Sequence, residues 1–172
     1  KPHLAWHLSG GTTELLLVEP DGKNVKCTRI GGTTDISAGQ LIDRTGVMLQ
    51  LPFPAGKHLD TMSAVAKQTD VFKVKCPGME FSLSGVQNKV QQFHKGNDAE
   101  TASFALRCVA FAVHKATENA LKAYPGLEVV FSGGVASNSM LRQLTADLDP
   151  VYCEPQYSTD NALGVAILAH RC

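Results

Sequence analysis

The stretch Val129-Val130-Phe131-Ser132-Gly133-Gly134-Val135-Ala136-Ser137-Asn138 constrains this chain more than any other. Leu127 to Phe131 is β-branched and aromatic and reads as a buried strand. Two glycines stop it, and Ser137 stands at the expected N-cap of a helix carrying Met140, Leu141 and Leu144 on one side. A strand ending on Gly-Gly before a helix sets backbone without Cβ atoms beside the unpaired N–H groups of a helix start. A flat or anionic ligand can lie against such a surface. A plain strand-to-helix turn would use the same glycines, so this stretch alone leaves both readings open. A second end of the same kind, Ser9-Gly10-Gly11-Thr12-Thr13, moves the balance toward a nucleotide bridging the two.

The order of elements around these ends sets the fold class. His3 to Leu8 alternates, with Leu4, Trp6 and Leu8 on one side, as a strand does. A second strand is expected over Glu14 to Val18, ending at Pro20-Asp21-Gly22, and a third over Asn24 to Ile30. Together they make an antiparallel meander. A helix follows from Ser37 to Gln50, with Ala38, Leu41, Ile42, Thr45 and Met48 or Leu49 facing inward and Asp43 off that stripe, where a solvated carboxylate is the plain reading. Pro52-Phe53-Pro54-Ala55-Gly56 makes a rigid turn, and a short helix is expected from Lys57 to Lys67.

Beyond Phe81-Ser82-Leu83-Ser84-Gly85 a helical segment reaches His94. Asn97 and Glu100 form a capping-box pattern ahead of a long helix, Asp98 to Ala123, with Ala102, Leu106, Val109, Val113, Ala116 and Ala120 on its buried face. Pro150 to Cys153 is the last strand, and Ala162 to His170 the last helix. Three strands, helices, then strand–helix–strand–helix is the order of a ribonuclease-H-like subdomain of the actin/Hsp70/sugar-kinase superfamily. The expected fold is α/β, a mixed sheet of about five strands with helices on both faces.

Composition narrows the setting. The 172 residues suit a single domain, residues 1–172. Sixteen basic residues balance sixteen acidic ones, so any nucleic acid must be held locally or by protein outside this chain. Cys27, Cys76, Cys108, Cys153 and Cys172 never form a CxxC pair, which points to reduced thiols in a cytoplasmic setting. No charged-then-apolar leader is expected from this reading, and no apolar run approaches the ~18 residues of a membrane span. The chain begins without methionine and is in a strand by Leu4, so it is expected to be part of something longer.

Six motifs occur in one order: Leu8-Ser9-Gly10-Gly11-Thr12-Thr13, Ala38-Gly39-Gln40-Leu41-Ile42-Asp43-Arg44-Thr45, Pro52-Phe53-Pro54-Ala55-Gly56, Phe81-Ser82-Leu83-Ser84-Gly85, Ser132-Gly133-Gly134-Val135-Ala136-Ser137-Asn138 and Ser158-Thr159-Asp160-Asn161. Together they resemble the C-terminal portion of the tRNA threonylcarbamoyladenosine-forming enzymes, once labelled glycoproteases or O-sialoglycoprotein endopeptidases. The resemblance implies transfer of a threonylcarbamoyl group from threonylcarbamoyl-adenylate to N6 of the tRNA adenine beside the anticodon. The chain would then be a C-terminal lobe, acting with its own N-terminal lobe and with companion tRNA-modification proteins.

The resemblance also implies ATP or an adenylate as ligand, and a divalent metal between the lobes, with iron, zinc and magnesium left open. Two histidines of a His-x-x-x-His helix in the N-terminal lobe would bind the metal, together with Asp160. Leu8, Ser9, Gly10, Gly11 and Thr12 would line the acyl-phosphate region. Asp43 and Gly56 would hold the substrate, Gly133 and Gly134 would be among the substrate-binding residues, and Asn138 would meet the adenylate. No catalytic residue is assigned. A carboxylate suits a divalent ion that polarises a carbonyl or phosphate oxygen, although an Asp before a helix is equally a stock N-cap. His3 and His7 also read His-x-x-x-His, but four residues of strand span about 13 Å, against about 6 Å for a helical turn, so they are not that pair.

Four positions depart from the family pattern. Thr12 stands where bacterial members carry His, Ala55 replaces a glycine, Ser158 a cysteine and Ala162 a glycine. Each change is expected at the ligand surface. The departures motivate an alternative, a non-catalytic nucleotide-binding paralogue that scaffolds a tRNA-modification complex. A divergent ATP-binding phosphotransferase is the third reading.

Overall fold

Alternation of side chains along the first strand organises the protein. In β1 (His3–Leu8), Leu4, Trp6 and Leu8 are fully buried while His3, Ala5 and His7 face the other side of the sheet. The structure, a computed structural model, describes residues 1–158 and 162–171. β2 (Thr13–Asp21) and β3 (Asn24–Thr33) continue from β1 as the expected antiparallel meander. β3 runs three residues past the expected end and pairs in parallel with β4 (Glu80–Phe81). β5 (Val129–Ser132) lies parallel to β1, and β6 (Val151–Tyr152) parallel to β5. The sheet has six strands in the order β4-β3-β2-β1-β5-β6. The extra strand β4 has only two residues, too few to show a period-two pattern.

The helices are α1 (Ala38–Met48), α2 (Gly56–Ser63), α3 (Ser84–Phe93), α4 (Asp98–Ala123), α5 (Ser139–Thr145) and α6 (Ala162–Arg171). Every residue predicted for the inner face of α4 is buried. Trp6 lies between Phe81 and Phe131, with ring centroids 6.3 and 6.5 Å away, and its Nε1–H donates to Thr117 Oγ1 on α4 at 2.8 Å. That bond satisfies the one polar atom of a fully buried indole. A second apolar cluster joins Ile42, Leu49, Ala55, Leu59, Ala102, Leu106 and Met140, which packs α1, α2 and α5 around the N-terminal half of α4.

Two expectations about helix ends change. α2 stops at Ser63, whose Oγ donates to Asp60 O at 2.8 Å while the N–H groups of Ala64 and Ala66 turn three residues back to Thr61 and Ser63. Glu100 then takes the backbone N–H groups of Lys67 and Gln68 on its carboxylate at 2.9 and 3.1 Å. The chain then runs as a strap along α4. Phe72 N–H meets Cys108 Sγ at 3.2 Å, and Asn119 Nδ2 donates to the carbonyls of Cys76 and Gly78. With Glu100 so engaged, only Asn97 of the predicted capping box acts as a cap, accepting from Glu100 N–H at 3.2 Å. A complete capping box forms instead at Ser37 and Gln40, at the start of α1.

Candidate functional site

The two Gly-Gly strand ends meet. Parallel pairing of β1 with β5 sets His7 opposite Ser132, so the next residues, Leu8 and Gly133, lie side by side. Gly133 has φ 95° and ψ 161°, and a Cβ there would stand 2.6 Å from the Leu8 carbonyl carbon and closer still to its oxygen. Only glycine fits this crossing. The loop after β1 closes on itself, Ser9 N–H donating to Thr12 O at 2.8 Å and Thr12 N–H to Ser9 Oγ at 3.0 Å. A Cβ at Gly10, Gly11 or Gly134 would find nothing within 4 Å, so all three present bare backbone to open space.

Helix α1 docks its first turn onto this tip. Ser37 Oγ donates to Gly10 O at 2.6 Å and Ala38 N–H to Thr13 Oγ1 at 2.8 Å. Gly39 packs so closely on Ser9 and Gly10 that a Cβ would collide with their backbone. One turn later, half-buried Asp43 turns its Oδ1 to the N–H of Ala55 at 2.9 Å, supplying a cap for α2, whose own N-cap residue gives no side-chain bond. Asp43 is therefore no mere solvated residue. Among the described residues its second oxygen has no partner, so it remains open to a donor. A Cβ at Gly56 would meet only Ile42 Cγ2, at 4.0 Å.

Asp60, which no pattern in the sequence singled out, links α2 to the second strand end. Its carboxylate accepts from Ser139 N–H at 3.0 Å and Ser139 Oγ at 2.7 Å. The N-cap of α5 is Asn138, one residue later than the Ser137 expected, because Gly134–Ser137 form a separate 3-10 turn. Asn138 Oδ1 accepts from Leu141 N–H at 3.0 Å. Its Nδ2 is buried without a partner, the only such side-chain nitrogen or oxygen among the described residues. A buried amide donor left open in this way costs about 1–3 kcal/mol until an acceptor reaches it.

These contacts make a closed circuit: Gly133 to Leu8, Gly10 to Ser37, Asp43 to Ala55 at the head of α2, Asp60 to Ser139, and back through Asn138. Four separate stretches of sequence are thereby joined in one neighbourhood. Two expected residues take other parts. The Leu8 side chain is fully buried, so only its backbone faces this region. Ala55 is 1% exposed, its methyl set against Gly46, so that departure from the family pattern points into the core and not toward a ligand. Thr12 is half-exposed in the loop. Asp160 lies outside the described residues. Among those described, no three metal-ligating side chains gather, and His3 and His7 sit in a strand as expected.

A mixed sheet of this order, with bare glycine backbone at the carboxyl ends of two neighbouring parallel strands, is the actin-like ATPase fold, and in open α/β sheets ligands bind in the crevice beyond such strand ends. Solved structures share the fold. The activator of 2-hydroxyisocaproyl-CoA dehydratase from Clostridium difficile, solved with bound ADPNP, superposes over 98% of this chain and 60% of its own with a TM-score of 0.59 at 16% identity. HypF of T. kodakarensis matches 74% of this chain and 17% of its own, TM-score 0.58 and 19% identity. Residues 1–167 match the model of the tRNA N6-adenosine threonylcarbamoyltransferase family, TsaD, and the chain belongs to that family. The enzymes of that name from Carboxydothermus hydrogenoformans and Streptococcus equi subsp. zooepidemicus are 35% and 34% identical to it, over 96% and 98% of this chain. The chain spans about half the length of these relatives, 53% in both.

Proposed function

We propose that this chain is the C-terminal lobe of a tRNA threonylcarbamoyltransferase, moving the threonylcarbamoyl group from its adenylate to N6 of a tRNA adenine once joined to an N-terminal lobe. The observation that carries this reading is the meeting of the two Gly-Gly strand ends, Gly133 packed on Leu8 with open backbone at Gly10, Gly11 and Gly134. Asn138, which caps the helix after Gly133-Gly134, brings an amide donor with no partner to the same stretch, and a purine or ribose has acceptors for it. Backbone at Gly134 and at Gly10–Gly11 approaches the phosphate without a Cβ in the way, while Ser9 and Thr12 hold that loop closed. The free oxygen of Asp43 accepts from a hydroxyl of the ligand, and Gly56 leaves room beside it.

A divalent metal belongs to the proposal through Asp160, whose carboxylate suits a hard or borderline cation, with the remaining ligands supplied by the N-terminal lobe. Such an ion would polarise a carbonyl or phosphate oxygen of the donor. Companion tRNA-modification proteins belong to the same proposal. A cytoplasmic location rests on the unpaired thiols of Cys27, Cys76, Cys108 and Cys153. No helix among the described residues is long and apolar enough to cross a membrane.

The test incubates the full-length protein with threonylcarbamoyl-adenylate, divalent metal and unmodified tRNA, then analyses the nucleosides by mass spectrometry. Threonylcarbamoyladenosine is expected. A folded, metal-loaded protein that binds the adenylate yet yields none would sink the transferase reading.

A further inference from the structure

The zero net charge of this chain conceals an uneven distribution. Residues 64–97 carry five lysines, Lys67, Lys73, Lys75, Lys89 and Lys95, against two carboxylates, Asp70 and Glu80, for a net charge of +3. The rest of the chain carries eleven basic against fourteen acidic residues, a net charge of −3. All five lysines are exposed. Among the described residues none of them forms an ion pair, whereas Lys1, Arg29 and Lys115 each bind a glutamate. Glu80 is already held by Arg29 at 3.0 Å, from outside the segment, and Glu100 beside the strap is occupied by backbone N–H groups.

We propose that the strap between α2 and α4, together with α3, is the face that holds the tRNA phosphate backbone, with these five lysines as its contacts. This rests on the transferase reading for the choice of nucleic acid. The strap is tied to α4 at Glu100, Cys108 and Asn119, so its lysines stand on fixed backbone along about 28 Å of helix. Charges spread over that length suit a polyanion and not a small ion, which would need them to converge. Phe72 is 38% exposed among them, with Lys89 Nζ 5.7 Å from its ring centroid. An exposed ring beside cations offers a stacking surface for a base or ribose. Lysines kept for solubility alone would be interspersed with acids that pair with them.

The experiment measures the full-length protein against fluorescently labelled unmodified tRNA by anisotropy, over a salt series. Wild type is compared with Lys73→Gln/Lys75→Gln/Lys89→Gln, and with Lys23→Gln/Lys26→Gln in the exposed β2–β3 hairpin as control. Each lost phosphate contact lowers the salt slope by roughly 0.7–0.9, so the triple variant should lose about 2 units of slope and about tenfold or more in affinity near 0.1 M salt. The control should match wild type, and thermal melts confirm folding. Lys67→Gln/Lys95→Gln gives an independent second variant.

Binding of an ATP analogue should be unchanged in all of them, which separates this face from the glycine-lined site. A triple variant with wild-type slope would refute the proposal, as would wild type that ignores tRNA but binds phosphatidylserine vesicles. Lysine-dependent tRNA binding without any adenine modification would leave this face standing and remove the transferase reading instead.

Discussion

Substituting Gly133 by alanine is the sharpest test of how the two strand ends meet. The residue sits at φ 95° and ψ 161°, a region essentially restricted to glycine, which alone costs an L-residue about 1–3 kcal/mol. The added Cβ would stand 2.6 Å from Leu8 C and 3.0 Å from Leu8 N, atoms of β1 and not of a flexible side chain. Leu8 cannot retreat without disturbing the parallel ladder that pairs Leu4 to His7 with Val129 to Ser132. Strain and displacement together should remove about 3 kcal/mol or more from a domain whose whole stability is of the order of 5–15 kcal/mol. Urea unfolding followed by tryptophan fluorescence measures it directly, since Trp6 lies two residues before Leu8. Gly134→Ala is the matched control: with nothing within 4 Å of its Cβ, it should unfold within about 1 kcal/mol of wild type. A loss below about 1 kcal/mol for Gly133→Ala, or equal losses for the two variants, would refute the reasoning.

Three further outcomes are expected. Asn138→Ser keeps an oxygen to cap α5 but deletes the orphaned amide, so stability should hold within about 1 kcal/mol while ATP-analogue affinity falls about tenfold by calorimetry. Unchanged affinity would show that nothing binds there. Thr117→Val leaves the buried Trp6 Nε1–H without its acceptor and should cost about 1–3 kcal/mol in denaturant unfolding. Burial alone would raise the Asp35 pKa, but hydroxyls of Ser82 and Ser84 and the N–H groups of Leu83 and Ser84 outweigh it and hold the carboxyl to about 2. Because the folded value is depressed, its stabilisation is complete above the ordinary carboxylate range and lost as pH falls from about 4 to about 2. Discounted for solvent screening it amounts to about 1 kcal/mol, and Asp35→Asn should flatten that part of an acid-unfolding curve.

Much of this architecture is written locally. Alternation of Leu4, Trp6 and Leu8 dictates a half-buried strand, and the spacing of Ala102, Leu106, Val109 and Val113 dictates a helix with one inward face. Both are decided by residues within a few positions of one another, so a single sequence exposes them. The Gly-Gly strand ends and the order of elements were legible for the same reason, and the fold class follows from that order.

What could not be read locally are the groups whose meaning depends on a partner far along the chain. Glu100 looked like half of a capping box until the strap brought Lys67 and Gln68 to it. Asp43 looked like a solvated helix residue until the turn at Ala55 folded back on it, and Asp60 had no distinguishing neighbour until Ser139 arrived. Strand β4 exists because Gly32 and Thr33 offered an edge, not because Glu80 and Phe81 prefer one. Local order states which elements form and which way each faces. Which unpaired N–H meets which carboxylate, and which amide is left waiting, depends on chain segments tens of residues apart closing on one another, and only the folded chain settles that.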